Sequence, residues 1–161
     1  MPSPSYRLEL LVLDEATAYY PATGLREALS GDNAGYDLKV VTPHLYLPNA
    51  TLVPLGVKAR MVRILEDGSE EDCHFSLEPR SSIFKYNYMM ANGRGVIDRS
   101  YRGQLMAPLI SVGENAYHLE AGTRLFQIVA PDMGCIREVV YVNSLSTTLR
   151  GEGGFGSTGT K

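Results

Sequence analysis

Four segments of this sequence hold residues whose types and spacing could do chemistry. The most conspicuous is RGEGGFGSTG, residues 150–159. Its glycines leave backbone amides unhindered by side chains, with Arg150 before them, Phe155 among them, and Gly156, Ser157 and Thr158 at the far end. Free amides, a guanidinium and hydroxyls are phosphate donors, and a phenyl ring is a platform for a base. Gly151, Gly153 and Gly156 spell GxGxxG. That pattern marks a dinucleotide site only when a helix follows to hold the pyrophosphate, and here only residues 157–161 follow. No GK[ST] of a P-loop is present either. A plain polar tail has the same composition, so by itself this segment leaves both readings open.

The second segment is NGRGVIDRSYRG, residues 92–103, where a glycine-containing turn leads into a short strand carrying Asp98 and, three residues on, Tyr101. A carboxylate can take a proton from water. In an unbroken strand these two side chains would face opposite sides, so a turn or bulge is needed to bring them to one pocket. PRSS, residues 79–82, places Arg80 beside Ser81 and Ser82, and AGYDL, residues 34–38, puts the lone acid Asp37 at the start of a strand. Both are short enough to arise by chance.

The elements that must position these residues read as strands. RLELLVL, GYDLKVV, LYLPNATLVPLGVKARMV, GVIDRSYRGQLMAPLISV, TRLFQIVAP and IREVVYVNSL carry alternating or β-branched character, with Pro and Gly between them. Many short strands in one domain predict an all-β sandwich, jelly roll or small barrel. Helix is scarce: SSIFKYNYMMA after Arg80 is the best candidate and LREAL a weaker one. Residues 1–143 form one β-rich domain by this reading, and residues 144–161, where Gly, Ser and Thr take over, a mobile arm unless a ligand orders it. The acidic run Glu66, Asp67, Glu70, Glu71 and Asp72 around Gly68 reads as a solvated loop or hairpin tip rather than a metal cluster.

A chain of 161 residues can bury its own core as a single domain. With 44% apolar and 20% charged residues it has a globular composition, and its net charge of -3 argues against a general nucleic-acid binder. Cys73, Cys135 and three histidines show no zinc spacing, and a single cysteine pair is no disulfide framework. A reducing compartment is expected. No run is apolar and long enough for a signal-peptide core or a membrane span.

Taken in order and spacing, AGYDL, PRSS, NGRGVIDRSYRG, GTRLFQ and RGEGGFGSTG resemble the five motifs of the trimeric deoxyuridine triphosphatase (dUTPase) family. The resemblance implies a jelly-roll-like subunit, a homotrimer with active sites at subunit boundaries, and an intracellular, soluble enzyme. The arm of one chain would close a site on its neighbours; residues 142–150 reach up to about 26 Å when extended. The implied reaction is dUTP and water to dUMP and pyrophosphate, with Mg²⁺ bound mainly by the triphosphate. It keeps uracil out of DNA and supplies dUMP for thymidylate synthesis.

The resemblance also implies residue roles. Asp98 orients and deprotonates the water that attacks the α-phosphorus. Asn92, Gly95 and the backbone of Val96 and Ile97 read the uracil edge, and Tyr101 lies under the deoxyribose. Arg80, Ser81, Ser82 and Gln127 contact phosphates, and Asp37 supports the metal's water shell. Arg150, Gly156, Ser157 and Thr158 clamp the terminal phosphates while Phe155 stacks on the base. Three departures stand out: Thr123 and Phe126 in GTRLFQ, where the family commonly has an acid and a small residue; the longer acidic insertion; and the extended approach to AGYDL. The alternatives are a dCTP deaminase, which shares the fold and similar segments, and a nucleotide-binding regulatory protein that has lost turnover.

Overall fold

The structure, a computed structural model, describes residues 4–115, 118–156 and 159. Among the described residues, twelve strands arrange in three sheets. Strand β1 (Ser5–Val12) alternates its burial, sending Tyr6, Leu8 and Leu10 inward at the period of two that a half-buried strand requires. Each such side chain contributes on the order of 1.5–3 kcal/mol by leaving water. β1 pairs antiparallel with β5 (Val57–Ile64) and parallel with β12 (Ile136–Tyr141), and β2 (Arg26–Ala28) and β6 (Glu70–Cys73) complete the sheet β2-β12-β1-β5-β6.

The second sheet runs β3-β11-β7-β9, from β3 (Gly35–Lys39), β11 (Arg124–Val129), β7 (Phe75–Pro79) and β9 (Gly95–Ile97). The third is β4-β10-β8, from β4 (Thr51–Pro54), β10 (Met106–Ser111) and β8 (Tyr88–Met90). One core of fully buried Leu38, Leu55, Leu77, Phe126, Tyr88 and Tyr141, among others, joins all three. The all-β expectation therefore holds.

Both helical expectations need correction. LREAL contains strand β2, because Arg26–Ala28 pairs with the free edge of β12, and backbone partners outweigh a weak local helix preference. SSIFKYNYMMA holds a 3-10 helix only over Ser81–Tyr86; Asn87 ends it in the left-handed region at φ 56, and Tyr88–Met90 continues as β8 against β10. Asn tolerates that conformation better than most residues. The long strand-like runs are also interrupted: residues 45–50 carry no strand, and residues 98–105 form the turn between β9 and β10.

The acidic run is a β5–β6 hairpin whose tip turns at Gly68 (φ 84), with the Ser69 N–H donated to Asp67 at 2.9 Å. The tip is exposed, as expected. Asp72 is not a surface charge: its two oxygens accept from Arg60 at 2.6 Å and from Arg102 at 3.0 Å, and Arg102 is only 7% exposed. A buried guanidinium needs such a partner.

Candidate active site

The turn required between Asp98 and Tyr101 is present. β9 stops at Ile97, the Tyr101 N–H donates to the Asp98 carbonyl at 3.0 Å, and both side chains line one cleft. Its other walls include Asn92 from the β8–β9 turn, Gly95, Val96 and Ile97 from β9, and Arg150, Gly154 and Phe155 from the tail. This cleft is narrow, about 190 Å³. Tyr101 is pinned as a plate: its ring is buried, its hydroxyl donates to the Gln104 carbonyl at 2.7 Å, and burial pushes its phenol up, so the ring stays neutral. Gly103 sits against that hydroxyl, where a Cβ would come within 2.5 Å.

The tail lies along this turn on its own chain. Gly151 bridges to Tyr101, the Arg102 N–H donates to the Gly151 carbonyl at 2.6 Å, and Arg102 Nε donates to the Ser146 carbonyl at 2.9 Å. The Arg150 guanidinium donates to one oxygen of Asp98, stands 5.6 Å from the centre of the Tyr101 ring and donates to the Gly153 carbonyl. Glu152 pairs with Lys58, which holds its carboxyl below the usual range. Gly156 is exposed and lies off the cleft wall, and Ser157 and Thr158 fall outside the described residues. Within the single chain, the segment around Arg150 folds back over the chain's own Asp98.

A second and larger cleft, about 670 Å³, gathers Asp37, Arg80, Ser81 and Gln127. Asp37 forms an ion pair with Arg80 at 3.0 Å and accepts from Arg124 at 3.4 Å, while Arg80 donates to the Arg124 carbonyl at 3.0 Å. Gln127 stands directly opposite Asp37 across the β3–β11 pair and donates to the Pro79 carbonyl at 3.1 Å. Gly35 makes room for it: a Cβ there would lie 1.9 Å from Gln127 Oε1. Ser82 follows Ser81 on the 3-10 helix, half-buried and off the cleft wall.

Sequence reasoning missed several residues in or beside these clefts. Glu27, in the segment taken for helix, accepts from the Tyr141 hydroxyl at 2.6 Å, which contacts the Tyr36 hydroxyl at 2.6 Å; burial, foremost, pushes Tyr36 up to about 12. The signal for Arg124 of GTRLFQ was misleading: alternation puts it on the face of buried Phe126, and the register shift between the two leaves it exposed beside Asp37. His74 and Arg102 had none.

A family model described as dUTPase matches residues 26–159. The chain belongs to the dUTPase family. The deoxyuridine 5'-triphosphate nucleotidohydrolase of Wolinella succinogenes is 37% identical over 134 residues, covering 81% of this chain and 83% of that protein. The one from Escherichia phage T5 is 36% identical over 135 residues, covering 83% and 82%. Among solved structures, the dUTPase from Streptococcus mutans matches with a TM-score of 0.50 at 27% identity, covering 81% of this chain and 95% of that one. A Staphylococcus bacteriophage 80alpha dUTPase with dUPNHPP has a TM-score of 0.51 at 20% identity and shares the fold. Each of the five dUTPase-like motifs contributes described residues to the walls of one of the two clefts.

Proposed function

We propose that this chain hydrolyses dUTP to dUMP and pyrophosphate, and that the Asp98 cleft is where water is activated. One observation carries the reading: the Asp98 carboxylate, the Tyr101 plate, the 92–97 turn and strand, and the Arg150–Phe155 tail meet in one narrow cleft. Uracil would enter between β9 and Phe155, with Asn92 and the backbone of Gly95, Val96 and Ile97 at its edge. The deoxyribose then rests on Tyr101, where a 2′-hydroxyl has no room. Asp98 takes one proton from water as the remaining hydroxide attacks the α-phosphorus, and pyrophosphate departs with the cleaved bond's electrons. Arg150 pairs with Asp98, and a terminal phosphate would compete for the same guanidinium, drawing it off the base and onto the substrate. Gly156, Ser157 and Thr158 would add donors to that clamp.

The phosphates suit the second cleft, with Arg80, Ser81 and Gln127 as donors and Ser82 supporting. Both oxygens of Asp37 are held by arginines, so its carboxylate fits the water shell of a cation rather than direct ligation. Among the described residues no three His, Cys, Asp or Glu side chains gather around a common point, which fits Mg²⁺ carried mainly by the triphosphate. When bound, Mg²⁺ would neutralise charge building on the phosphate oxygens.

The two clefts share no lining residue, and β3 and β9 are opposite edges of one sheet, three strand spacings or about 14 Å apart. That separation supports a homotrimer in which one copy's phosphate side completes its neighbour's Asp98 side. Among the described residues no helix is long and apolar enough to cross a membrane, and an intracellular setting goes with this substrate. The test is a nucleotide panel with pyrophosphate detection: turnover of dUTP with Mg²⁺ and poor use of dTTP, UTP and dCTP. Ammonia release from dCTP would favour a deaminase instead, and tight binding without turnover a regulatory protein.

A further inference from the structure

Arg150 holds one oxygen of Asp98; the other faces a residue that belongs to no motif. His74, in the link from β6 to β7, accepts the Arg99 backbone N–H on Nδ1 at 3.0 Å, and the same nitrogen lies 3.8 Å from Asp98 Oδ1. A ring nitrogen that accepts an N–H carries no proton, so this bond assigns a neutral imidazole with its proton on Nε2. The side chain is 58% exposed, so no packing requirement explains its place.

We propose that His74 is a positioning residue for dUTP hydrolysis: the neutral ring holds the Arg99 amide and thereby aims the adjoining Asp98 carboxylate, and protonation of the ring releases it. The inference rests on the function proposed above. Protonation at Nδ1 removes the acceptor from Arg99 and turns the same nitrogen into a donor toward Asp98 Oδ1, which drags the base toward β6. The groups facing this exchange are Asp98 and Arg99 on the turn, Arg150 on the far oxygen of Asp98, and, on the same strand end, Asp72, already tied to Arg60 and Arg102. The turn has separate anchors: Arg102 donates to the Arg99 carbonyl at 2.8 Å, and the Tyr101 N–H reaches the Asp98 carbonyl. Removing His74 therefore alters the aim of Asp98 and leaves the fold standing.

The experiment uses the full chain with dUTP and Mg²⁺, comparing wild type, His74→Ala and His74→Asn from neutral to mildly acidic pH. His74→Ala lowers kcat about five- to tenfold at neutral pH, moves KM by less than about twofold and leaves the melting temperature unchanged. The amide oxygen of His74→Asn can accept the Arg99 N–H without titrating. That variant recovers kcat to within about twofold and resists acid better than wild type. In the uncomplexed protein the Arg99 amide resonance moves with the His74 ring titration in wild type and stays flat in His74→Asn. Wild-type kcat in His74→Ala at every pH overturns the positioning role, as does an Arg99 amide that ignores the ring. Pyrophosphate release by wild type tests the function reading by itself: with turnover present, an unchanged His74→Ala refutes this inference alone, and with turnover absent both fall.

Discussion

Gly154→Ala puts a single methyl between the tail and the plate it closes on. A Cβ at Gly154 would lie 2.9 Å from Tyr101 Cε2, against the roughly 3.5–4.0 Å at which carbons rest. Something must move by about 0.5–1 Å. The ring cannot yield: it is buried, hydrogen-bonded to Gln104, and backed by Gly103 at its hydroxyl. The tail yields instead, and overpacking of this kind costs about 1–3 kcal/mol. If closure precedes chemistry, kcat/KM for dUTP falls about five- to 150-fold, since about 1.4 kcal/mol is a factor of ten. The melting temperature stays put, because Tyr101 and the core beneath it are untouched. Pyrophosphate release gives kcat/KM. As the chain has no tryptophan, Phe155→Trp supplies a lone fluorescent reporter of closure on a non-hydrolysable analogue. Wild-type kcat/KM in Gly154→Ala would refute the packing of the tail on Tyr101. A parallel fall in melting temperature would place the clash in the fold rather than the lid.

Two further outcomes follow from the same geometry. A chain ending at Leu149 should keep its β fold by circular dichroism yet lose at least about a hundredfold in kcat/KM, since Arg150 and Phe155 leave together; retained activity would remove the tail from catalysis. At alkaline pH, Tyr36, whose folded value is raised to about 12 from the usual 10.0, stabilises the fold fully below pH 10 and loses that contribution as pH climbs toward 12. Phenolate absorbance should therefore lag behind that of free tyrosine over that window and rise with unfolding; Tyr36→Phe should extend the alkaline limit. An absorbance curve matching free tyrosine in the folded protein would contradict the burial.

Much of the fold was legible because alternation writes a half-buried strand directly into the sequence. Leu8 and Leu10 point in while Arg7 and Glu9 point out, and the pairing follows. The turn between Asp98 and Tyr101 was legible for a chemical reason, since two cooperating side chains three residues apart cannot share a face in a strand. What stayed hidden depends on partners distant in sequence. Arg26–Ala28 is a strand only because β12 offers its edge more than a hundred residues later. Asp72 looked like one more surface acid until Arg102, 30 residues on, was seen buried beside it. His74 carried no spacing signal, because its partner is a backbone amide brought near by the β7–β9 pairing. The placement of the tail was hidden too, since composition cannot say on which surface a glycine-rich segment settles.

The most direct test of the central claim compares wild type with Asp98→Asn for steady-state pyrophosphate release from dUTP with Mg²⁺. Binding of a non-hydrolysable dUTP analogue is measured alongside. Wild type releases pyrophosphate efficiently, and Asp98→Asn turns over at least about a hundredfold more slowly with analogue affinity within about threefold. Undiminished turnover by Asp98→Asn would contradict the central claim and assign the base elsewhere.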